Sequence, residues 1–272
     1  MVYESFNLGG ITFNIDRYLR QKLDNIKRIT KRKWDCVVLI DGIEGSGKST
    51  LSFLVGWYLT DGNLTMDNVC EGSEDAMKKM QVLKPGSVLI IDEGSLSFSS
   101  KEVMSKEQKQ LTRILNVIRQ RGINVIIVSP SFFNLNKYVA IERSRFLLHV
   151  YTDKDLNRGR YCYFGQRKKH VLYVLGKKNF NSYAKPRSDF VGMFPNFEPP
   201  FYKEYLKYKE SIIQEQFKPT ITAGIVEKNT LKDVYKRIKE FNPEISKKIV
   251  CKWLNVADRT LYTWDSLGKP QI

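Results

Sequence analysis

Val37-Val38-Leu39-Ile40-Asp41-Gly42-Ile43-Glu44-Gly45-Ser46-Gly47-Lys48-Ser49-Thr50 is the stretch that decides the fold. Four apolar residues in a row, with no alternation, read as a strand buried on both faces of a parallel sheet. The strand empties at Asp41 into the spacing G-x-x-x-x-G-K-[ST], met by Gly42, Gly47, Lys48 and Ser49. Glycines let successive backbone N–H groups turn inward on a polyphosphate with no Cβ in the way. The candidate phosphate-binding positions are therefore Gly42, Glu44, Gly45, Ser46, Gly47, Lys48, Ser49 and Thr50. Lys48 supplies a cation for the β- and γ-phosphates, and Ser49 a hydroxyl for Mg²⁺. The apolar run Leu51 to Leu59 continues as a helix whose N-terminus adds partial positive charge. By residue frequencies the spacing alone arises by chance in roughly one chain in a hundred of this length.

A second strand of the same kind, Ser87-Val88-Leu89-Ile90-Ile91, ends in Asp92-Glu93. Carboxylates at the C-terminal end of a buried parallel strand lie on the edge where the phosphate loop lies. Asp92 is the candidate metal ligand, and Glu93 the candidate general base that polarises an attacking water. Glu102 to Arg121 is expected as a long helix, with Leu111, Ile114, Leu115 and Ile118 at helical spacing and Gly122 as its stop. The next strand, Ile123 to Ser129, puts Ser129 where a γ-phosphate sensor belongs, with Asn134 and Asn136 as alternatives. Arg119, Arg121, Arg143 and Arg145 are candidate arginines for a neighbouring subunit's site. Arg143 and Arg145 lead because they begin the following strand.

The chain of 272 residues carries 45 Lys and Arg against 29 Asp and Glu, a formal charge of +16. That excess favours a phosphate polymer or an anionic surface as partner. No apolar run approaches the ~20 residues of a membrane helix, and no signal peptide is visible, so a cytoplasmic protein with no membrane partner is expected. Cys36, Cys70, Cys162 and Cys251 are scattered, against a metal cluster or a disulfide frame.

On either side of the core, residues 5–15 read as a hairpin turning at Gly9-Gly10. Asp16 reads as the cap of a basic amphipathic helix to about Arg32, whose Lys27, Arg28, Lys31, Arg32 and Lys33 form either a nucleic-acid face or a solvated one. Gly159–Phe164 and Val171–Leu175 read as a β-hairpin addition turning at Gln166–Lys169. Basic and aromatic residues interleave from Arg158 to Tyr183, suited to unstacked bases or to a half-buried sheet. Residues 184–200, rich in proline, read as an irregular strap and Tyr202 to Gln216 as a charged helix. The expected domains are 1–217 (core about 34–180), a linker 218–228 and a C-terminal unit 229–272.

In that last unit Thr230 caps a first helix, Ile245–Leu254 forms a second, and Arg259–Ser266 a third. Lys252 to Trp264 resembles a helix-turn-helix, with Asn255 in place of the usual turn glycine. The resemblance implies that Arg259, Thr260 and Thr263 face DNA while Val256, Leu261 and Trp264 pack.

Taken with the Asp92-Glu93 pair and the strand at 123–129, the central region resembles the additional-strand, catalytic-glutamate class of phosphate-loop ATPases. Residues 34 to about 180 are similar to phage and plasmid ATPases grouped with the zonular occludens toxin family and with DNA-packaging or DNA-pumping motors. The resemblance implies an α/β fold: a mainly parallel sheet flanked by helices, with a small all-α helix-turn-helix domain appended. It further implies ATP and Mg²⁺ as cofactors, DNA as partner, and a homo-oligomer, for which a ring is one form, with a viral portal or procapsid or a replication protein beside it. Toxin-family members carry a transmembrane helix and large terminases a carboxylate-rich nuclease domain; this sequence shows neither pattern.

Overall fold

Chain order in the computed structural model, which describes residues 2–92, 101–217, 226–254 and 256–266, begins with a hairpin. β1 (Tyr3–Leu8) pairs antiparallel with β2 (Ile11–Asp16). Asp16 caps α1 (Arg17–Thr30), its carboxylate accepting from the N–H groups of Tyr18 at 2.9 Å and Leu19 at 3.2 Å. There follow β3 (Val37–Gly42), α2 (Lys48–Leu59), β4 (Val69–Glu71), α3 (Gly72–Val82), β5 (Val88–Asp92), α4 (Lys101–Arg121), β6 (Asn124–Ser129) and β7 (Ser144–Tyr151). A wide-turned helical segment, Tyr138–Arg143, leads into β7.

The seven-stranded sheet has the order β4-β5-β6-β3-β7, extended by β8 (Arg160–Gly165) and β9 (Phe190–Met193). From β4 to β7 every pairing is parallel. β6 lies between the loop-bearing β3 and the acid-bearing β5, so the strand that gives the additional-strand class its name is in place. The last two pairings are antiparallel.

Successive residues of a strand point to opposite faces, and two cores result. Val38, Ile40, Val88, Ile90, Ile126 and Val128 face α1, α2 and the hairpin. Val37, Leu39, Leu89, Ile91, Val125 and Ile127 face α3 and α4. Helices on both faces of a mainly parallel sheet make the α/β class expected from sequence.

Two expectations fail beyond β8. Val171–Leu175 is not a strand: it lies within α5 (Gln166–Lys178), and the expected basic turn Gln166–Lys169 is the first turn of that helix. Helical spacing is visible once Lys169, Leu172, Tyr173 and Gly176 are seen to be its buried face. The partner of β8 is instead β9, drawn from the proline-rich strap. Tyr161, Tyr163, Phe164 and Tyr173 are buried and build the core, whereas Phe180 is exposed.

Met1–Leu206 and Lys207–Ile272 form two compact units, the division falling within α6 (Tyr202–Phe217) and so ahead of the expected boundary. Within the second unit, α7 (Val226–Phe241) begins before the expected Thr230 cap and takes up residues 226–228 of the expected linker; residues 218–225 lie outside the described residues. α8 (Lys247–Leu254) and α9 (Asp258–Ser266) complete a three-helix unit. Tyr235, Val250, Cys251 and Leu261 are its core, with Val256 and Trp264 packed against it. Among the described residues no helix is long and apolar enough to cross a membrane.

Candidate phosphate-loop site

β3 delivers the chain to the C-terminal edge of the sheet at Gly42, whose φ of +146° and close approach to β7 exclude a side chain: a Cβ there would stand 2.1 Å from the Val150 carbonyl oxygen. The loop closes on itself through Ser46, fully buried, whose hydroxyl donates to the Ile43 carbonyl at 2.8 Å. Lys48 opens α2 and folds back over the loop, its Nζ donating to the Gly42 and Ile43 carbonyls at 2.8 Å each. Glu44 and Gly45 are exposed at the rim. A tight glycine loop at a helix N-terminus, crossed by an ammonium group, has the form of an anion cradle.

Asp92 ends β5 on the face that carries α2. Its Oδ2 accepts from Ser49 Oγ at 3.1 Å and from Tyr205 Oη, on α6, at 2.6 Å. The expected metal-binding pair is therefore assembled, and Tyr205 is a third member that the sequence did not disclose. Burial, then the Asp92 charge, raise the Tyr205 phenol far above its ordinary range, so it stays a donor. Phe53 of α2 fixes Tyr205 edge-on, ring centroids 4.8 Å apart. Glu93 lies outside the described residues.

Behind the loop, on the opposite face, Asp41 is 1% exposed and organises a second network. Its Oδ2 accepts from the Phe132 N–H at 2.8 Å and from the Tyr183 hydroxyl; its Oδ1 meets His149 Nδ1 at 3.0 Å. The His149 and Tyr183 rings stack at 3.7 Å. Burial and the Asp41 charge raise the Tyr183 phenol well above its ordinary range. The strand ends of β3, β6 and β7 are tied together by this network.

Ser129 is on the Asp41 face, buried, with its hydroxyl donating to the Ser131 carbonyl at 3.1 Å. Asn136 caps the segment before β7, accepting from the Val139 N–H at 2.8 Å, while Asn134 is exposed. Arg143 and Arg145 stand at the N-terminal edge of the sheet, the edge away from their own loop. Arg143 is paired with Asp35 and donates to the Leu115 carbonyl at 3.0 Å, whereas Arg145 is exposed. In the C-terminal unit Arg259 and Thr263 are exposed, Thr260 is half-buried, and Thr263 Oγ1 donates to the Arg259 carbonyl at 2.9 Å.

The order β7-β3-β6-β5-β4, the loop after β3 and the acid after β5 place the domain in the additional-strand phosphate-loop architecture. No protein-family model matches the chain. A glutamate–tRNA ligase of Fusobacterium nucleatum is 26% identical over 152 residues, 46% of this chain. The match spans 29% of that relative's length and assigns no family. Among solved structures, a DNA polymerase III gamma subunit-related protein of Thermotoga maritima matches at TM-score 0.36 and 16% identity, over 49% of this chain and 47% of its own. The DNA-packaging ATPase B204 of Sulfolobus turreted icosahedral virus matches at TM-score 0.34 and 16% identity, over 49% and 94%. The RuvB branch-migration motor of Thermotoga maritima matches at 0.36 and 16%, over 91% and 84%. Likeness at this level carries no weight beside the strand order and the loop.

Proposed function

We propose that the chain is a Mg²⁺-dependent ATPase acting on DNA and, within that class, an oligomeric motor that packages or translocates viral DNA. The observation that carries the reading is the assembly of Lys48, Ser49 and Asp92 on one edge: a phosphate cradle whose hydroxyl and carboxylate lie 3.1 Å apart. Mg²⁺ fits these donors, both hard oxygens, since the ion takes one or two protein ligands and fills its shell with water and phosphate. When bound, it neutralises charge on the β- and γ-phosphate oxygens. Lys48 holds the phosphates, and Glu93 accepts the proton of the attacking water. Arg145, exposed and on the far edge from its own loop, suits a neighbour's site better than Arg143, whose guanidinium is already engaged.

DNA as substrate is supported by the charge of +16, and by a hollow of about 670 Å³ at the N-terminal edge of the sheet, lined by Lys27, Lys31, Lys33 and Arg121, with Asp61 paired to Lys27 at 2.6 Å. The three-helix unit, with Arg259 and Thr263 outward, favours a second reading: a helicase loader or site-specific DNA-binding ATPase of replication, partition or transposition. An ATP-switched regulator is the non-enzyme form of the same reading. A portal, procapsid or replication protein is the partner these readings respectively require.

Steady-state hydrolysis with and without duplex DNA tests the proposal. Lys48→Ala is expected to abolish nucleotide binding, and Glu93→Gln to keep binding while lowering turnover by about 10²–10⁴-fold. Turnover indifferent to Glu93→Gln sinks the base assignment, and binding without turnover in the wild type selects the switch.

A further inference from the structure

Arg158 was not among the arginines expected to serve the site, and the structure puts it at the loop. Gly45 is the fourth residue of the eight-residue loop. A methyl group built on it would meet one group within 4 Å, the Arg158 guanidinium, at 3.8 Å. The side chain comes from the same chain, out of the β7–β8 connection.

That connection is held from both ends. Asp153 gathers it, its Oδ1 accepting from the Asp155 N–H at 3.0 Å and the Asn157 N–H at 2.9 Å, and its Oδ2 from Asn157 Nδ2 at 3.1 Å and Arg160 Nη2 at 3.3 Å. These bonds, the Asn157 N–H foremost, hold the Asp153 carboxyl below its usual range. On the other side Gly159, at φ +93°, is pressed against the Phe194 backbone: a Cβ would stand 2.7 Å from the Phe194 carbonyl oxygen, and the Phe194 N–H donates to the Gly159 carbonyl at 2.7 Å. The Phe194 ring in turn lies against the loop, 3.4 Å from where a Cβ of Gly47 would be. Asp153 and Gly159 therefore hold the backbone on either side of Arg158, which is itself exposed. Among the described residues no ion pair or side-chain hydrogen bond engages its guanidinium.

Resting on the reading of the loop as a nucleoside-triphosphate site, we propose that Arg158 is a catalytic residue supplied in cis, binding the β–γ region of the triphosphate and stabilising the charge that gathers there as the terminal phosphoryl group departs. Lys48 covers the start of the loop at Gly42 and Ile43; Arg158 stands over its middle at Gly45. A guanidinium is planar, permanently charged and able to give two parallel hydrogen bonds to phosphate oxygens. An arginine so placed acts mainly on the transition state, where charge on those oxygens is greatest. No neighbouring subunit is needed for this contact, in contrast to the role given to Arg145.

The full-length chain tests it with three variants. Arg158→Ala is expected to lower kcat by about 10²-fold or more, to weaken binding of a fluorescent ATP analogue more than that of the ADP analogue, and to leave the urea midpoint unchanged. Arg158→Lys, with one point charge and no fork, is expected to recover affinity but little of kcat. Mixing Arg158→Ala with Lys48→Ala subunits is expected to restore no activity, because neither loop then has both cations. Unchanged kcat and unchanged ATP-over-ADP preference in Arg158→Ala overturn the proposal, and restored activity in the mixture overturns its cis character. The wild type against Lys48→Ala keeps the two readings apart: if those two bind ATP equally, the nucleotide site itself is wrong and Arg158 falls with it.

Discussion

Asp41 shows how one side chain can hold three strands. Replacing it with alanine takes the acceptor from the Tyr183 hydroxyl and leaves the Phe132 N–H only its longer bond to Tyr183 Oη at 3.2 Å. At about 1–3 kcal/mol per unsatisfied group, Asp41→Ala is expected to cost a few kcal/mol, read from the shift of the urea midpoint at constant m-value. Its partners His149 and Tyr183 are far away in sequence, so the network could not be read from the loop motif, although Asp41 itself was plain. Lys169 gives a second residue-scale prediction. It is fully buried, donating to the carbonyl and hydroxyl of Ser144, and burial lowers its ammonium from 10.5 to about 7. Between those values the unfolded chain holds a proton that the folded chain lacks, so stability rises as pH rises above 7. Cys36 works the other way. Burial pushes its thiol up from 9.0 to about 12, so above 9 the unfolded chain releases a proton that the folded chain keeps. The urea midpoint is expected to climb from pH 7 to about 9 and then flatten or fall; Lys169→Met removes the climb.

At the scale of elements, α2, β5 and α6 meet at Asp92. α6 was legible as a charged helix, but its Tyr205 was not legible as a member of the site, because only packing on Phe53 turns that ring toward β5. Tyr205 steadies a carboxylate that holds metal in the proposed mechanism, and hydrogen bonds of this kind govern affinity. Tyr205→Phe is expected to raise the Mg²⁺ concentration for half-maximal binding of a fluorescent nucleotide by about 10-fold, with the unfolding midpoint little changed. Unaltered Mg²⁺ dependence removes that role. The loop-bearing strand and β5 were readable because double burial leaves an unbroken apolar run. α5 was not. A lysine sits on its buried face, and that charge hid the helical period and made Val171–Leu175 resemble a strand. β9 was missed because its four residues lie in a proline-rich stretch where turn chemistry dominates the pattern.

At the scale of the molecule, the two units divide the proposed work between nucleotide and DNA. The charge of +16 predicts affinity for duplex DNA that falls steeply with salt, the slope of log K against log salt being about −0.9 per phosphate neutralised. Fluorescence anisotropy of labelled duplex across a salt series reads that slope. Arg259→Ala is expected to weaken binding by about 1–3 kcal/mol on a preferred sequence if it reads a base, and to flatten the slope by about one unit if it meets a phosphate. Neither change, on any duplex, removes the helix-turn-helix assignment. The packing of the three helices was legible from capping and apolar spacing, whereas the start of α7 was not, since Thr230 offers a capping side chain inside what is already helix.

The ends of the sheet constrain how copies of this chain can meet. One border is β4, three residues long, and the other is β9, four residues long. Beyond β4 the Asn68 side chain donates to the Val88 carbonyl at 2.8 Å, taking up a group that a short strand would leave open. Borders this short give an incoming strand little backbone to pair with. A second copy that met either border of the large sheet would therefore gain few backbone hydrogen bonds, which leaves the six-residue strands of the β1–β2 hairpin and the helix faces as the longer surfaces on which copies could meet.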